Sequence, residues 1–222
     1  MHSYDKLAFD EVSAALRRAD FITLPGQPVQ LTMAPDIRKD QIRGMGKGHE
    51  PVKSSVMILI YPGVEGSAKS VFIQRPKYDG VHSGQISFPG GRLDPDDEDM
   101  MQTALRETHE EIGISPDQVE VIGQLSELYI PPSNHLVSPF AGLLSKMPVF
   151  CPDPIEVACI IEVELGDFLS GNNKTESIIK LADGEIVNTP CYKTGEHIIW
   201  GATAMILAEF ISLFNSAFRV VR

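Results

Sequence analysis

The sequence lacks several features that define other classes of protein. No uninterrupted apolar stretch reaches the roughly 18 residues that a membrane span needs. The N-terminus, MHSYDKLAFDEV, is acidic and polar and does not resemble a signal peptide. Internal repeats and low-complexity segments are also missing. We therefore expect a cytoplasmic protein that does not use a membrane as a partner.

Cysteine is scarce and badly spaced for metal binding. The chain has three cysteines, Cys151, Cys159 and Cys191, with no CxxC pair and no zinc-like pattern. An odd number of cysteines also argues against a disulfide framework. Reduced and buried thiols are expected for a cytoplasmic protein.

Positive charge is in deficit. The chain has 19 Lys and Arg residues against 30 Asp and Glu residues, a formal net charge of −11. This balance argues against nonspecific binding to nucleic acid, whose phosphates attract basic surfaces. A small anionic substrate would have to be attracted by local cations and bound metal, because the global field repels it.

Length and composition fit one domain, or one domain with an extension. The chain has 222 residues, and 43% of them are hydrophobic, which is ordinary for a packed globule. Residues 6–18 have apolar side chains near helical spacing and predict an amphipathic helix. The proline-containing stretch that follows is predicted to be a loop. We expect a helix-and-loop extension over residues 1–50, packed on a main domain over residues 51–222.

The rest of the chain alternates strands with a few helices. Residues 55–61 and 70–75 are β-rich and flank a Pro-Gly turn, which predicts a hairpin. Further strands are predicted over residues 119–125, 136–144, 156–165, 178–181 and 196–200. Residues 202–218 predict a closing helix whose apolar stripe lies in the core or in a homodimer interface. This α/β pattern favours a sheet with helices on both faces.

The most informative window is residues 90–114, GGRLDPDDEDMMQTALRETHEEIGI. Acidic residues at 94 and 96–98 suit the start of a helix, and Gly113 suits its end. Because a helix turns about 100° per residue, Glu107, Glu110 and Glu111 project from one side within an arc of roughly 100°.

Two interpretations of these three glutamates compete. They could form a solvated acidic face, since Glu-rich helices are common. They could instead bind Mg²⁺ or Mn²⁺, which take oxygen ligands and engage substrate phosphates. The preceding loop, Phe88-Pro89-Gly90-Gly91, would let backbone approach a ligand closely. Loop and helix together favour the metal site.

This window resembles the motif of the Nudix hydrolases, G-x5-E-x7-R-E-U-x-E-E-x-G-U, with U apolar. The matching positions are Gly91, Arg106, Glu107, Glu110, Glu111, Gly113 and Ile114. The motif is one residue longer here than in the family pattern, so its first acidic position is filled by either Asp97 or Glu98. Thr108 takes a position that is apolar in the motif.

The longer spacing is similar to the coenzyme A pyrophosphatase branch of this family. That branch carries L-L-T-x-R-[SA]-x3-R-x3-G-x3-F-P-G-G upstream, and Arg75, Gly84 and residues 88–91 match it. His82 and Gln85 lie in a segment that also resembles the branch. The departures are Ile73, Pro76 and Gly80. Gly80 replaces an arginine that could bind phosphate, a loss that Lys77 or Arg92 could compensate.

The resemblance implies a fold and a reaction. The fold would be the Nudix α/β/α sandwich with a mixed β-sheet. The reaction would be Mg²⁺- or Mn²⁺-dependent hydrolysis of a nucleoside diphosphate derivative. The favoured substrate is coenzyme A or acyl-CoA, cleaved to 3′,5′-ADP and (acyl-)4′-phosphopantetheine. The alternatives are ADP-ribose, a nucleotide sugar or a dinucleotide, and, in another class, a non-catalytic module that senses a nucleotide.

The resemblance also implies residue roles. Glu107 and Glu111 would be the first metal ligands, and Glu110 would share a second ion or act through water. Arg106 would pair with one of these carboxylates and orient it. The general base stays open between Glu107 and an acid outside the motif, such as Glu156. Candidate substrate contacts are Arg75, His82, Gln85, Gly90 and Gly91.

Two further features have ordinary interpretations beside functional ones. The polar loop of Ser133, Asn134 and His135 could face the substrate or only support itself by hydrogen bonds. Trp200, the single tryptophan, is expected to pack in the core and not to stack on a base.

Overall fold

The computed structural model describes residues 7–43, 50–77, 83–171, 173–181 and 184–219. Within these ranges the helices are α1 (Phe9–Leu16), α2 (Gln27–Gln30), α3 (Asp36–Arg43), α4 (Met100–Ile112), α5 (Leu165–Leu169) and α6 (Gly201–Arg219). The strands are β1 (Val52–Pro62), β2 (Ala68–Gln74), β3 (Ile86–Ser87), β4 (Gly90–Arg92), β5 (Val119–Gln124), β6 (Leu128–Ile130), β7 (His135–Leu144), β8 (Cys159–Glu164), β9 (Lys174–Lys180), β10 (Ile186–Thr194) and β11 (His197–Trp200). Short 3₁₀ turns cover Leu31–Met33, Pro116–Gln118 and Pro131–Ser133.

The larger sheet is mixed. Its main path runs β3-β2-β1-β7-β5, while β4 pairs with β1, β6 with β7 and β8 with β2. β1 pairs antiparallel with β2, so the predicted hairpin is present, with Pro62 opposite Ala68. β1 also pairs parallel with β7 along nine residues, which makes it the central strand. The smaller sheet has the order β11-β10-β9.

The core has two halves, one on each face of β1. Side chains alternate along a strand, so Met57, Leu59 and Tyr61 pack on the face that carries α4. Ile58 and Ile60 point to the other face, where α6 packs. Helices therefore cover both faces of the mixed sheet, which confirms the predicted α/β/α sandwich.

The N-terminal stretch contains more helix than the sequence predicted. α1 lies inside the predicted helix of residues 6–18, but residues 27–43 form α2, a 3₁₀ turn and α3 where a loop was expected. Short elements of this kind give little periodicity, and their formation here comes from packing. Leu31, Met33 and Ile42 are buried in the same core as α6. The proposed domain division at residue 50 stays a prediction, and residues 44–49 lie outside the described ranges.

The closing helix α6 lies where it was predicted, and Phe210, Leu213 and Phe214 of its apolar stripe are buried. By length and composition alone, Gly201–Phe218 could cross a membrane, but 61% of that window is buried inside the fold. Burial of this extent is what the core helix of a globular domain shows. The possible homodimer stays a prediction.

One expectation from the sequence is wrong, and β10 was not predicted. Pro190, in the middle of β10, lacks the N–H that a strand ladder uses. The three cysteines are free thiols, but Cys151 and Cys159 are exposed and only Cys191 is buried. Cys159 is the first residue of β8 in the larger sheet, and Cys151 lies in the loop between β7 and β8.

Candidate active site

The helix of the motif, α4, has well-defined ends. The Asp99 side chain accepts a hydrogen bond from the Gln102 N–H at 2.8 Å, which caps the first turn. At the other end, Gly113 adopts a left-handed conformation with φ of 75° and donates its N–H to the carbonyl of His109. The acidic residues at 94 and 96–98 therefore lie just ahead of the helix and not in its first turn.

The structure distinguishes between the two candidates for the first acid of the motif. Arg106 donates from Nε to Asp97 Oδ1 and from Nη2 to Asp97 Oδ2, both at 2.9 Å. This two-point contact holds the pKa of Asp97 well below its usual range and raises the pKa of Arg106. Glu98 is exposed, and its backbone N–H bonds to the side chain of Gln102. Asp97 therefore fills the acidic position.

Arg106 also orients the carboxylates that follow it. Its Nη1 donates to Glu107 Oε1 at 3.0 Å and to Glu110 Oε2 at 2.8 Å. Its Nη2 donates to the carbonyl of Arg92 at 3.0 Å, which ties the helix to β4. One guanidinium thus connects the loop before the helix, the adjacent strand and two glutamates, as the expected orienting role requires.

Three carboxylates come together beside α4. Ligand oxygens of Glu107, Glu111 and Glu156 all lie within 4.8 Å of one another. Glu110 is not part of this trio, because its side chain is exposed and directed to Arg106. Its role as a metal ligand stays a prediction.

Glu156 reaches the helix through a loop anchored on the helix end. The N–H of Cys151 donates to the carbonyl of Ile112, and the N–H of Asp153 donates to that of Glu111, both at 3.0 Å. The Asp153 carboxylate then accepts a bond from the Glu156 N–H at 3.2 Å. A Cβ on Gly113 would lie 2.7 Å from Cys151 Cβ, so a glycine is needed for this loop to approach.

Glu111 is fully buried and only half satisfied. Its Oε2 accepts a hydrogen bond from the Gly90 N–H at 2.8 Å. Among the described residues its Oε1 has no hydrogen-bond partner, and Arg75 Nη2 lies 3.7 Å away. Burial raises the pKa of Glu111 to about 8, while the bond from Gly90 and the charge of Arg75 act in the opposite direction.

The two glycines of the preceding loop are close to this carboxylate cluster for different reasons. Gly90 has φ of 151°, and a Cβ there would lie 2.2 Å from the carbonyl oxygen of Ser55 on β1. A Cβ on Gly91 would lie 2.3 Å from the carboxyl carbon of Glu107. The backbone at Gly91 thus lies directly against a half-buried carboxylate, whose pKa burial raises and Arg106 opposes.

Glu107 and Glu156 line a cleft of about 1410 Å³, and the buried Glu111 lies behind them. Arg75, Gln85, Gly90 and Gly91, four of the predicted substrate contacts, line it, whereas His82 lies outside the described residues. Of the two cations that could replace the arginine lost at position 80, Arg92 is among the described residues that line the cleft and Lys77 is not.

The remaining walls of the cleft were not predicted. Arg38 and Ile42 of α3 line it, as does Lys180 of β9. Trp200 is half-buried and also faces the cleft, so the expectation that it packs in the core is wrong. No local sequence signal identifies such residues, since they come from elements far apart in the chain.

The polar loop at residues 133–135 borders the same cleft. Asn134 has a positive φ of 51°, and its Oδ1 accepts a bond from the Tyr129 hydroxyl at 3.0 Å. His135 lines the cleft, with Nδ1 2.8 Å from the carbonyl of Ser133, and is not part of the carboxylate trio. The loop therefore supports itself by hydrogen bonds and also faces the cleft.

Comparison with known proteins identifies the family. The model of the NUDIX domain family matches residues 52–150. A mouse protein named mitochondrial coenzyme A diphosphatase NUDT8 is 32% identical over 140 residues, which cover 63% of this chain and 67% of the mouse protein. The chain belongs to the Nudix family.

Two other similar proteins extend the comparison. Nudix hydrolase 22, chloroplastic, of Arabidopsis thaliana is 34% identical over 164 residues, or 71% of this chain. That match spans only 53% of the plant protein, so the chain corresponds to about half of this relative. The crystal structure of a MutT/nudix family protein from Enterococcus faecalis has the same fold, with a TM-score of 0.53 at 17% identity, covering 77% of this chain and 64% of that one.

Proposed function

We propose that this protein is a divalent-metal-dependent pyrophosphohydrolase that cleaves the phosphoric anhydride of a nucleoside diphosphate derivative. The observation that carries the proposal is the buried carboxylate of Glu111. One of its oxygens has no hydrogen-bond donor among the described residues and shares a small volume with Glu107 and Glu156. A buried carboxylate left open in this way, with only Arg75 Nη2 at 3.7 Å, is costly to ionise unless a further cation completes it.

The residues fit Mg²⁺ or Mn²⁺. All three side chains offer carboxylate oxygens, which these hard ions prefer, and the missing side chain of Gly91 lets the loop backbone approach Glu107 closely. When bound, the ion would neutralise phosphate charge and lower the pKa of a water molecule. Glu107 and Glu111 would hold it, and Arg106 would keep Glu107 in position.

The chain supplies the remaining requirements of the reaction. Water attacks one phosphorus of the P–O–P bridge, the bridging P–O bond breaks, and the proton of the water must be accepted. We assign that proton to Glu156, because this carboxylate is exposed at the cleft whereas Glu107 is half-buried and bonded to Arg106. Arg75 borders the cleft beside the carboxylates and would bind a phosphate oxygen.

Coenzyme A or an acyl-CoA is the favoured substrate, with 3′,5′-ADP and (acyl-)4′-phosphopantetheine as products. Two observations support it: the upstream segment that ends in residues 88–91, and similarity to the mouse coenzyme A diphosphatase. Arg92 lines the cleft and could replace the arginine that the branch carries at the position of Gly80. The runner-up is another nucleoside diphosphate derivative, such as ADP-ribose, a nucleotide sugar or a dinucleotide.

Cellular context also belongs to the proposal. The cytoplasm was expected from the sequence, but the names of the two relatives place them in a chloroplast and a mitochondrion. We keep a cytoplasmic location, no nucleic-acid or membrane partner, and a possible homodimer as predictions.

A substrate panel tests the proposal. The purified protein is incubated with coenzyme A, ADP-ribose, a nucleotide sugar and a dinucleotide, each with Mg²⁺, with Mn²⁺ and with a chelator, and products are identified by mass spectrometry. We expect metal-dependent release of 3′,5′-ADP from coenzyme A at the highest kcat/KM. Faster cleavage of ADP-ribose would favour the runner-up, and binding of nucleotide without any product would indicate the sensing module.

A further inference from the structure

A second buried glutamate lies far from the carboxylate trio. Glu209, in the middle of α6, has no exposed surface. Its Oε1 accepts a bond from the Gly26 N–H at 3.0 Å and a longer one from the Ser126 N–H at 3.4 Å. Its Oε2 accepts a bond from Gln30 Nε2 at 2.8 Å. Both oxygens are therefore satisfied by N–H donors.

Two of these donors belong to the N-terminal stretch. Gly26 has φ of 66°, a left-handed conformation that favours glycine and starts α2. Gln30 is 1% exposed, and its Nε2 also donates to the carbonyl of Ser126 at 3.1 Å. The Glu209–Gln30 pair thus joins α2 to α6 and to the turn between β5 and β6. We call it the Glu209 clamp.

The clamp holds a segment that reaches the cleft. From α2 the chain continues through the 3₁₀ turn into α3, and Pro35, Arg38 and Ile42 line the cleft. We call residues 26–43 the N-terminal wall. Pro35 and Ile42 are apolar and buried, whereas Arg38 is charged and half-buried, so the wall brings two apolar side chains and one cation to the cleft. Ile130 and Pro131, which line the cleft on the neighbouring segment, extend that surface.

We propose that Glu209 is a positioning residue for the substrate site. It fixes the N-terminal wall, and the wall binds the less polar arm of the substrate beyond the diphosphate. Burying a carboxylate is costly unless its oxygens are bonded, so an apolar pair would hold α2 against α6 with less cost. What the polar clamp adds is a defined position, because directed hydrogen bonds fix geometry that apolar packing leaves loose. This inference rests on the proposed function.

The test compares Glu209→Gln with the wild type on coenzyme A and Mg²⁺. The glutamine amide would bring an NH₂ group against Gln30 Nε2, so the clamp must rearrange. We expect KM to rise about tenfold while kcat changes less than about threefold, because the metal end of the cleft is untouched. Hydrogen exchange should become faster across residues 26–43 and stay unchanged across α4.

A matched control separates positioning from loss of stability. Tyr61→Phe removes the hydrogen bonds of a buried tyrosine hydroxyl on the opposite face of β1, to Glu162 Oε2 at 2.9 Å and to the Ser70 carbonyl at 3.5 Å. It should lower Tm but keep the wild-type KM. Ile42→Ala, which changes the wall itself, should raise KM with the clamp intact. In the double variant Glu209→Gln/Ile42→Ala, the fold increase in KM should be smaller than the product of the two single increases, because both substitutions act through the N-terminal wall.

Product inhibition tests which arm the wall binds. In Glu209→Gln, inhibition by 4′-phosphopantetheine should weaken about tenfold, whereas inhibition by 3′,5′-ADP should not change. A wild-type KM in Glu209→Gln, an equal rise of KM in Tyr61→Phe, or equal weakening for both products would overturn the inference. If the wild type cleaves no diphosphate, the proposed function fails. In that case hydrogen exchange still tests the clamp. If exchange across residues 26–43 is the same in Glu209→Gln and in the wild type, the inference that Glu209 fixes the N-terminal wall is overturned.

Discussion

Glu111 and Glu209 are both fully buried in long helices, yet the fold treats their carboxylates differently. Glu209 has N–H donors on both oxygens, from Gly26, Gln30 and Ser126. Glu111 has one donor on Oε2, and among the described residues none on Oε1. A buried carboxylate with hydrogen-bond donors on both oxygens holds parts of the fold together. A buried carboxylate that lacks a donor on one oxygen, and lies beside two other acids, is suited to bind a cation. Burial alone would not have distinguished them.

The largest loss of stability should come from removing the Glu209 clamp. Glu209→Ala would leave three buried N–H donors without their acceptor, at about 1 to 3 kcal/mol each. We expect the free energy of unfolding to fall by about 4 kcal/mol, measured by chemical denaturation. A change below about 1 kcal/mol would show that the clamp contributes no more than an ordinary surface contact.

Glu111→Gln should affect catalysis and not the fold. The amide keeps the size of the side chain but removes the charge that holds the ion, so turnover should fall by at least about 100-fold. Glu110→Gln is the matched control on the same helix, and its exposed contact with Arg106 should be worth about threefold or less. Steady-state kinetics with Mg²⁺ measures both. A 100-fold loss of turnover in Glu110→Gln would instead indicate that Glu110 is a metal ligand.

Gly90 and Gly91 allow the same contrast between stability and catalysis to be tested with smaller expected effects. In Gly91→Ala the new methyl would press on the carboxyl group of Glu107, so we expect turnover to fall about tenfold with little change in Tm. In Gly90→Ala the methyl would meet the carbonyl oxygen of Ser55, so stability should fall instead. Kinetics and thermal unfolding on both variants decide. Equal losses of stability would contradict the assignment of Gly91 to the site.

The metal-free protein should also show a pH dependence of its stability. In chelator, burial raises the pKa of Glu111 from 4.5 to about 8, so the folded state holds a proton that the unfolded state releases. Its contribution to stability is complete below pH 4.5 and is lost as pH rises through about 8, by at most about 1.4 kcal/mol per pH unit. Subtracting the curve of Glu111→Gln from that of the wild type isolates this contribution. A flat difference between pH 5 and 9 would contradict the raised pKa.

Much of the site could be predicted because its signals are local. Glu107 and Glu111 are four residues apart on one helix, so they had to share a face. The capping residues fixed the ends of α4 within a few positions. Thr108, which departs from the family motif, is buried and donates its hydroxyl to the Ala104 carbonyl at 2.6 Å, so it fits an apolar position. Glu156 was only one candidate base, since nothing local links it to the helix.

Predictions failed where tertiary packing overrides local patterns. α2 and α3 are too short to show a clear period, and Pro190 disguised β10. Trp200 was expected to pack in the core, but it ends β11, half-buried, and lines the cleft. The arc of three glutamates was correct for a helix, but Glu110 is exposed and bonded to Arg106, and Glu156 takes the third place in the trio.

The sequence by itself determined the α/β class, the acidic helix face and the glycine loop, because periodicity and spacing act over a few residues. Only the tertiary structure decided which acids meet, which of them stay unsatisfied, and which distant segments border the cleft. Glu156 joins Glu111 because backbone bonds fold its loop onto the end of α4, and Glu209 is saturated because α2 packs on α6. Such contacts depend on the path of the whole chain, which no single stretch of sequence encodes.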